Sequence, residues 1–175
     1  MCRVLLPPRP SRTLKMTFAS SRTGEPDAPA GIESVTHAVL TAGGIDTTYA
    51  RCGSGEPLLL LSERGDPASD DLARALAARF RVIIPTVDVS RDRWTPRQCA
   101  AWLRDLLDGL GIESAFIVAA EGMASSALSF AGSDPLRVRR LAVVDGEFVA
   151  EGLGGVPVGV FGSVAGMQEF LVDGN

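Results

Sequence analysis

From Glu33 onward the chain switches repeatedly between short apolar runs and longer amphipathic stretches. Runs of that length suit β-strands and the longer stretches suit helices, so the alternation confines the chain to an α/β sheet. Strands are expected at Val35–Leu40, Ile45–Arg51, Leu58–Ser62, Val82–Pro85, Phe116–Ala119, Leu141–Val144 and Val158–Phe161. The first two flank Ala42-Gly43-Gly44, as the arms of a hairpin flank their turn. The later ones are almost wholly apolar, which is the pattern of strands covered on both faces. Helices are expected over Ser69–Arg79, with Leu72, Ala75, Leu76 and Ala77 on one stripe, over Thr95–Leu110, and over Gly122–Phe130. Thr95-Pro96 gives the second of these a capping residue followed by a proline at the first helical position.

The 175 residues, 46% hydrophobic and 22% charged, fit one domain with one continuous core rather than two. Residues 1–31 differ from the rest: prolines at 7, 8, 10, 26 and 29 and no acid before Glu25. They are expected to form a disordered tail ahead of a domain spanning 32–175, and Met16 offers an alternative start. A net charge of −4 supplies no basic footprint for nucleic acid. The longest apolar stretches, Leu58–Leu61 and Ala115–Ala120, fall short of the ~20 residues of a spanning helix, so no membrane association is expected. Cys2, Cys52 and Cys99 are odd in number and form no CxxC pair, which argues against both a disulfide framework and a zinc site. A cytoplasmic protein without metal or cofactor is the resulting expectation.

Several segments in this order resemble the α/β-hydrolase superfamily. "YARCGSGEPLLLLSERGDPAS" is similar to its second and third strands with the glycine turn between them, and "DLARALAARFRVIIPTVD" to its first helix and fourth strand. "CAAWLRDLLDGLGIESAFIVAAEGMASSALSFA" resembles the long helix, the fifth strand and the nucleophile elbow, while "DPLRVRRLAVVDG" and "VPVGVFGS" resemble the sixth and seventh strands. The resemblance implies a mostly parallel sheet of about seven strands with helices on both faces. It also implies a lidless, truncated version lacking the eighth strand and final helix.

At the elbow, family members carry G-x-S-x-G, and this chain carries Ala119-Ala120-Glu121-Gly122-Met123. Glu121 stands where the nucleophile would be, and Ala119 and Met123 stand where glycines allow a sharp turn. Ser62-Glu63 replaces the His-Gly pair beside the oxyanion hole, where a carboxylate opposes developing negative charge. Ala165 falls near the acid position after the seventh strand, and the only histidine, His37, lies on the first strand, where its alternation with Val35 and Val39 reads as structural. Asp88 and Asp145 follow strands and read as turn residues. Cys99 reads as a small core residue, and Cys52 has no neighbour that would activate it. Ser125, Ser126 and Ser129 lie on a helix without a base nearby in sequence.

No confident catalytic residue emerges. The expectation is a pseudo-enzyme, a binding or interaction protein whose ligand-contacting residues are Ser62, Glu63, Glu121, Gly122 and Met123. The alternatives are a hydrolase with Glu121 as carboxylate nucleophile, as the aspartate of related dehalogenases and epoxide hydrolases implies, or a decayed hydrolase fragment. Without a final helix, Ser69–Arg79 would shield one sheet face almost alone. A homo-oligomer or protein partner is expected to cover the remainder, alongside a small-molecule ligand.

Overall fold

The computed structural model describes residues 36–42, 44–62, 67–87, 94–144, 153 and 155–172, with the side chains of 36, 37, 67, 68, 87 and 121 left out. The expected tail 1–31, Glu63, Asp88 and Asp145 lie outside the described residues. The strands are β1 (Thr36–Ala42), β2 (Ile45–Cys52), β3 (Glu56–Leu61), β4 (Phe80–Val87), β5 (Ala115–Ala120), β6 (Val138–Val144) and β7 (Val158–Phe161). They form one sheet in the order β1-β2-β4-β3-β5-β6-β7. β1 and β2 are antiparallel, as are β2 and β4, and every pairing from β4 through β3 to β7 is parallel.

Helices α1 (Pro67–Ala77), α2 (Pro96–Gly109), α3 (Ala124–Ser133) and α4 (Val164–Val172) cover the sheet on both sides. Alternation along β3 distributes its leucines between two cores. Leu59 and Leu61 face α2 and α3 together with Ile83, Ile117, Leu141 and Val143, whereas Leu58 and Leu60 join Val82, Phe116, Val118 and Ala142 on the opposite face. On α1 the buried stripe runs through Ala73 and Leu76, with Leu72 and Ala77 beside it, so Ala73 holds the core position expected for Ala75.

α4 was not expected from sequence, and it changes the account of the second face. Met167 and Leu171 lie four residues apart, one helical turn, and both are buried with α1's residues against that face. Gln168 Nε2 donates to the Ala75 carbonyl at 2.9 Å, and the Arg140 guanidinium donates to the Phe170 carbonyl. α1 therefore does not shield this face alone. Among the described residues, the outer edge of β7 is unpaired.

α2 is fixed at both ends. Thr95 Oγ accepts from the Gln98 backbone N–H at 3.3 Å while the Thr95 N–H donates to Gln98 Oε1 at 2.9 Å, a reciprocal capping box with Pro96 in the first turn. At the other end the Ile112 N–H reaches the Leu107 carbonyl at 2.9 Å and the Gly111 N–H the Asp108 carbonyl at 3.1 Å, with Gly111 at φ +67°. That pair of bonds is a Schellman stop, which needs the left-handed residue glycine supplies.

A second set of contacts ties α2 to the link between α3 and β6. Arg104 Nε donates to Asp134 Oδ1 at 2.9 Å in a two-pronged pair, and Arg137 meets Asp108 at 2.7 Å. Hydrogen bonding from Arg104, helped by the Ser133 hydroxyl and the nearby positive charges, holds the Asp134 carboxyl below its ordinary range against the opposing effect of desolvation. A depressed carboxylate contributes stability above the unfolded pKa of about 3.9 and loses it as pH falls through the folded value. Asp134→Asn should accordingly lower neutral-pH stability by about 1 kcal/mol, with the gap from the parent closing below about pH 4. Thermal melts of both proteins across that range check it, and a gap that persists in acid would show that the charge is not its source.

Candidate functional site

Parallel α/β sheets open a crevice where consecutive strands send their helices to opposite faces. Here that point lies between the C-terminal ends of β3 and β5, because the chain leaves β3 for α1 on one face and β5 for α3 on the other. The transition from β5 is a 3-10 turn, Glu121–Met123, leading directly into α3. Met123 has φ −107° and ψ −4°, an ordinary conformation for a residue with a Cβ. Ala119 and Met123, at the positions where a tight elbow carries glycine, are both buried among the residues that pack under α2 and α3. Met123 also caps α3 with no side-chain hydrogen bond.

A cleft of about 100 Å³ lies beside this turn. Ser62, Gly122 and Met123 line it, so the fold brings together three of the expected contact residues. Glu121 adjoins them through the backbone at the start of the turn, while Glu63 lies outside the described residues. The remaining wall comes from Leu61 on β3, Pro85 on β4, Ser126 on α3, and α2 with the segment before it. Trp94 and Trp102 meet edge to face with centroids 5.5 Å apart, and both line the cleft, as does the buried Cys99. Trp102 Nε1 donates to Thr47 Oγ1 at 2.9 Å. Thr47 is fully buried on β2, so this bond satisfies two polar groups that would otherwise be costly to bury and leaves the indole ring free to act as an apolar surface.

Trp94 and Ser126 were not among the expected site residues. Ser126 lies in the first turn of α3, directly after the 3-10 turn that carries Gly122 and Met123. Trp94 immediately precedes the Thr95 cap, and only the docking of α2 brings it to the strand ends. Cys99, expected in the core, is buried there and also contributes to the cleft wall. Ser125 is exposed and Ser129 half-buried, and neither lines the cleft.

The other positions scrutinised for chemistry lie elsewhere. His37 is on β1, at the edge of the sheet, paired with Ala50. Four strand spacings separate β1 from β5 in the sheet order, which at 4.7–4.9 Å each is about 19 Å. Ala165 sits exposed in the first turn of α4. Cys52 is buried at the end of β2, where desolvation pushes its thiol above the ordinary range and so away from thiolate reactivity.

No family profile and no curated protein matches this chain. Solved structures do. The epoxide hydrolase CorEH is 27% identical over 64% of this chain and 42% of its own, with a TM-score of 0.58. Cfl2 from Burkholderia cenocepacia is 25% identical over 72% of this chain and 47% of its own, again at 0.58. A naproxen esterase from Bacillus subtilis is 18% identical over 63% of this chain and 43% of its own, at 0.57. The chain thus spans less than half the length of the structures it matches.

Proposed function

This chain has the α/β-hydrolase fold, and on that premise we propose that it holds a small molecule in the β3–β5 cleft without turning it over. One observation carries the reading. The residue that follows β5 and opens the turn is Glu121, while His37 stands about 19 Å away on the edge strand β1. A hydroxyl nucleophile in this fold needs a base within hydrogen-bond reach, and His37 is several times too distant to act as one. The alanine in the first turn of α4, near where the acid member of a triad would stand, points the same way.

A binding role needs less of the chain than catalysis does. The cleft has an aromatic wall, two hydroxyls from Ser62 and Ser126, and the backbone at Gly122, which together resemble an apolar ligand site with a few placed polar groups. The test is a screen with short-chain p-nitrophenyl esters. Release by the parent protein should equal that by Glu121→Ala and by buffer; turnover that disappears in Glu121→Ala would refute the non-catalytic reading.

A second reading has one observation in its favour: epoxide hydrolases are among the structures that the chain matches, and a glutamate, Glu121, directly follows β5. In it, a Glu121 oxygen attacks an epoxide carbon, the ring C–O bond breaks, and water later cleaves the resulting ester. Its signature is an ester on Glu121. The additional methylene of glutamate, relative to aspartate, displaces the attacking oxygen by about one bond length, enough to lose a productive approach.

A further inference from the structure

We propose that the cleft is built for one neutral six-membered ring, aromatic by preference, bearing a single hydroxyl or carbonyl group. The inference rests on the reading of the cleft as a ligand site and names the ligand's chemical class. Size comes first. At about 100 Å³ the cleft is smaller than the ~150 Å³ engineered cavity that accepts benzene, so one ring enters part-way and a second has no room. Shape follows from the two tryptophans, whose planes meet at 69° and form a corner of aromatic surface. A flat ring placed in such a corner makes stacked contact with one indole and edge contact with the other. Met123 and Cys99 add sulfur atoms to the wall, which favour aromatic over aliphatic neighbours.

Charge excludes much of the rest. None of the described residues lining the cleft has a charged side chain, so an anionic or cationic ring would be desolvated without a counter-charge from them. The hydroxyl of Ser126 can donate or accept, which suits one neutral polar atom on the ligand.

The chain contains two tryptophans, and both line this cleft, so its intrinsic emission reports directly on occupancy. The test titrates the full-length protein with benzyl alcohol, benzoate, benzylammonium and hexan-1-ol, following tryptophan emission and the two indole N–H resonances by NMR. Benzyl alcohol should give a saturable change with a millimolar dissociation constant, as small fragments do. The charged rings and the linear alcohol should bind at least about tenfold more weakly, for want of a counter-charge or of ring stacking. Ser126→Phe, which places a ring of its own in the cleft, should abolish the saturable response, and the smaller Ser126→Val should weaken it several-fold if the larger change disturbs folding. Benzoate, benzylammonium or hexan-1-ol binding as tightly as benzyl alcohol, with Ser126→Phe blocking it, would overturn the ligand class and leave the cleft as a binding site. A response that neither Ser126 variant affects, or no saturable response to any probe, would overturn the binding reading itself along with the proposal.

Discussion

Replacing Phe130 by alanine should lower the unfolding free energy by about 3–5 kcal/mol. Phe130 is the largest fully buried side chain among the described residues, on α3, within the cluster that α2 and α3 form with the sheet. Truncation removes the transfer free energy of a phenyl ring and leaves a cavity that the cluster it belongs to, with fully buried members such as Leu103, Leu106 and Leu141, can close only in part. A loss on that scale is a large share of the 5–15 kcal/mol that usually holds a domain together. Urea titration gives the answer: the midpoint should fall steeply with little change in slope. Leu136→Ala is the control, because that side chain is 93% exposed and its removal should cost less than about 0.5 kcal/mol. A Phe130→Ala effect below about 1 kcal/mol would mean that α3 does not pack on the sheet as described.

Gly53→Ala is expected to cost about 3 kcal/mol or more, through backbone rather than packing. Gly53 lies in the turn between β2 and β3 at φ +74°, and a Cβ built there would stand 2.4 Å from the Phe80 carbonyl oxygen and 2.5 Å from that of Ala77. These are main-chain atoms at the junction of α1 and β4, so relief requires moving the turn or the start of a central strand. Gly111, at φ +67°, has nothing within 4 Å of the corresponding position and isolates the conformational cost, roughly 1–2 kcal/mol for a left-handed residue with a Cβ. The steric component is the difference between the two alanine variants. Since 1 kcal/mol moves the melting midpoint by about 2–4 °C in a domain of this size, thermal scans should separate them by several degrees. Equal losses would show that the close approach at Gly53 is not maintained.

Much of the fold was legible because its strands are fully apolar and its helices are well punctuated. β7 coincides with the expected Val158–Phe161, and α2 differs from Thr95–Leu110 by one residue at each end. Strand starts were less legible because they are polar. β3 begins at Glu56 and β6 at Val138, and the charged residues there are held by one another: Arg139 pairs with Glu56 and lies 5.5 Å over the Phe116 ring. Periodicity does not register a strand whose outer end is stabilised by ion pairs and cation–π contact. α4 went unassigned because Gly162 and Gly166 give the segment the look of a loop, although Val164, Met167 and Leu171 keep helical spacing.

The site divides in a similar way. Ser62, Gly122 and Met123 could be placed at the crevice because a resemblance fixes which strand ends meet there. Trp94 and Ser126 could not, since one depends on the docking of α2 and the other on the face that α3 turns toward the cleft. The glutamate that follows β5 is legible in the sequence itself. The distance between the edge strand that carries His37 and the β3–β5 crevice exists only once the strand order is known.

Intact-mass spectrometry after incubation with an aromatic epoxide, combined with assay for the diol product, tests the non-catalytic reading most directly. The expected result is an unmodified protein mass and diol formation no faster than in buffer. An adduct mapped to Glu121, with diol release that Glu121→Gln abolishes, would contradict it and make this chain a carboxylate-nucleophile hydrolase.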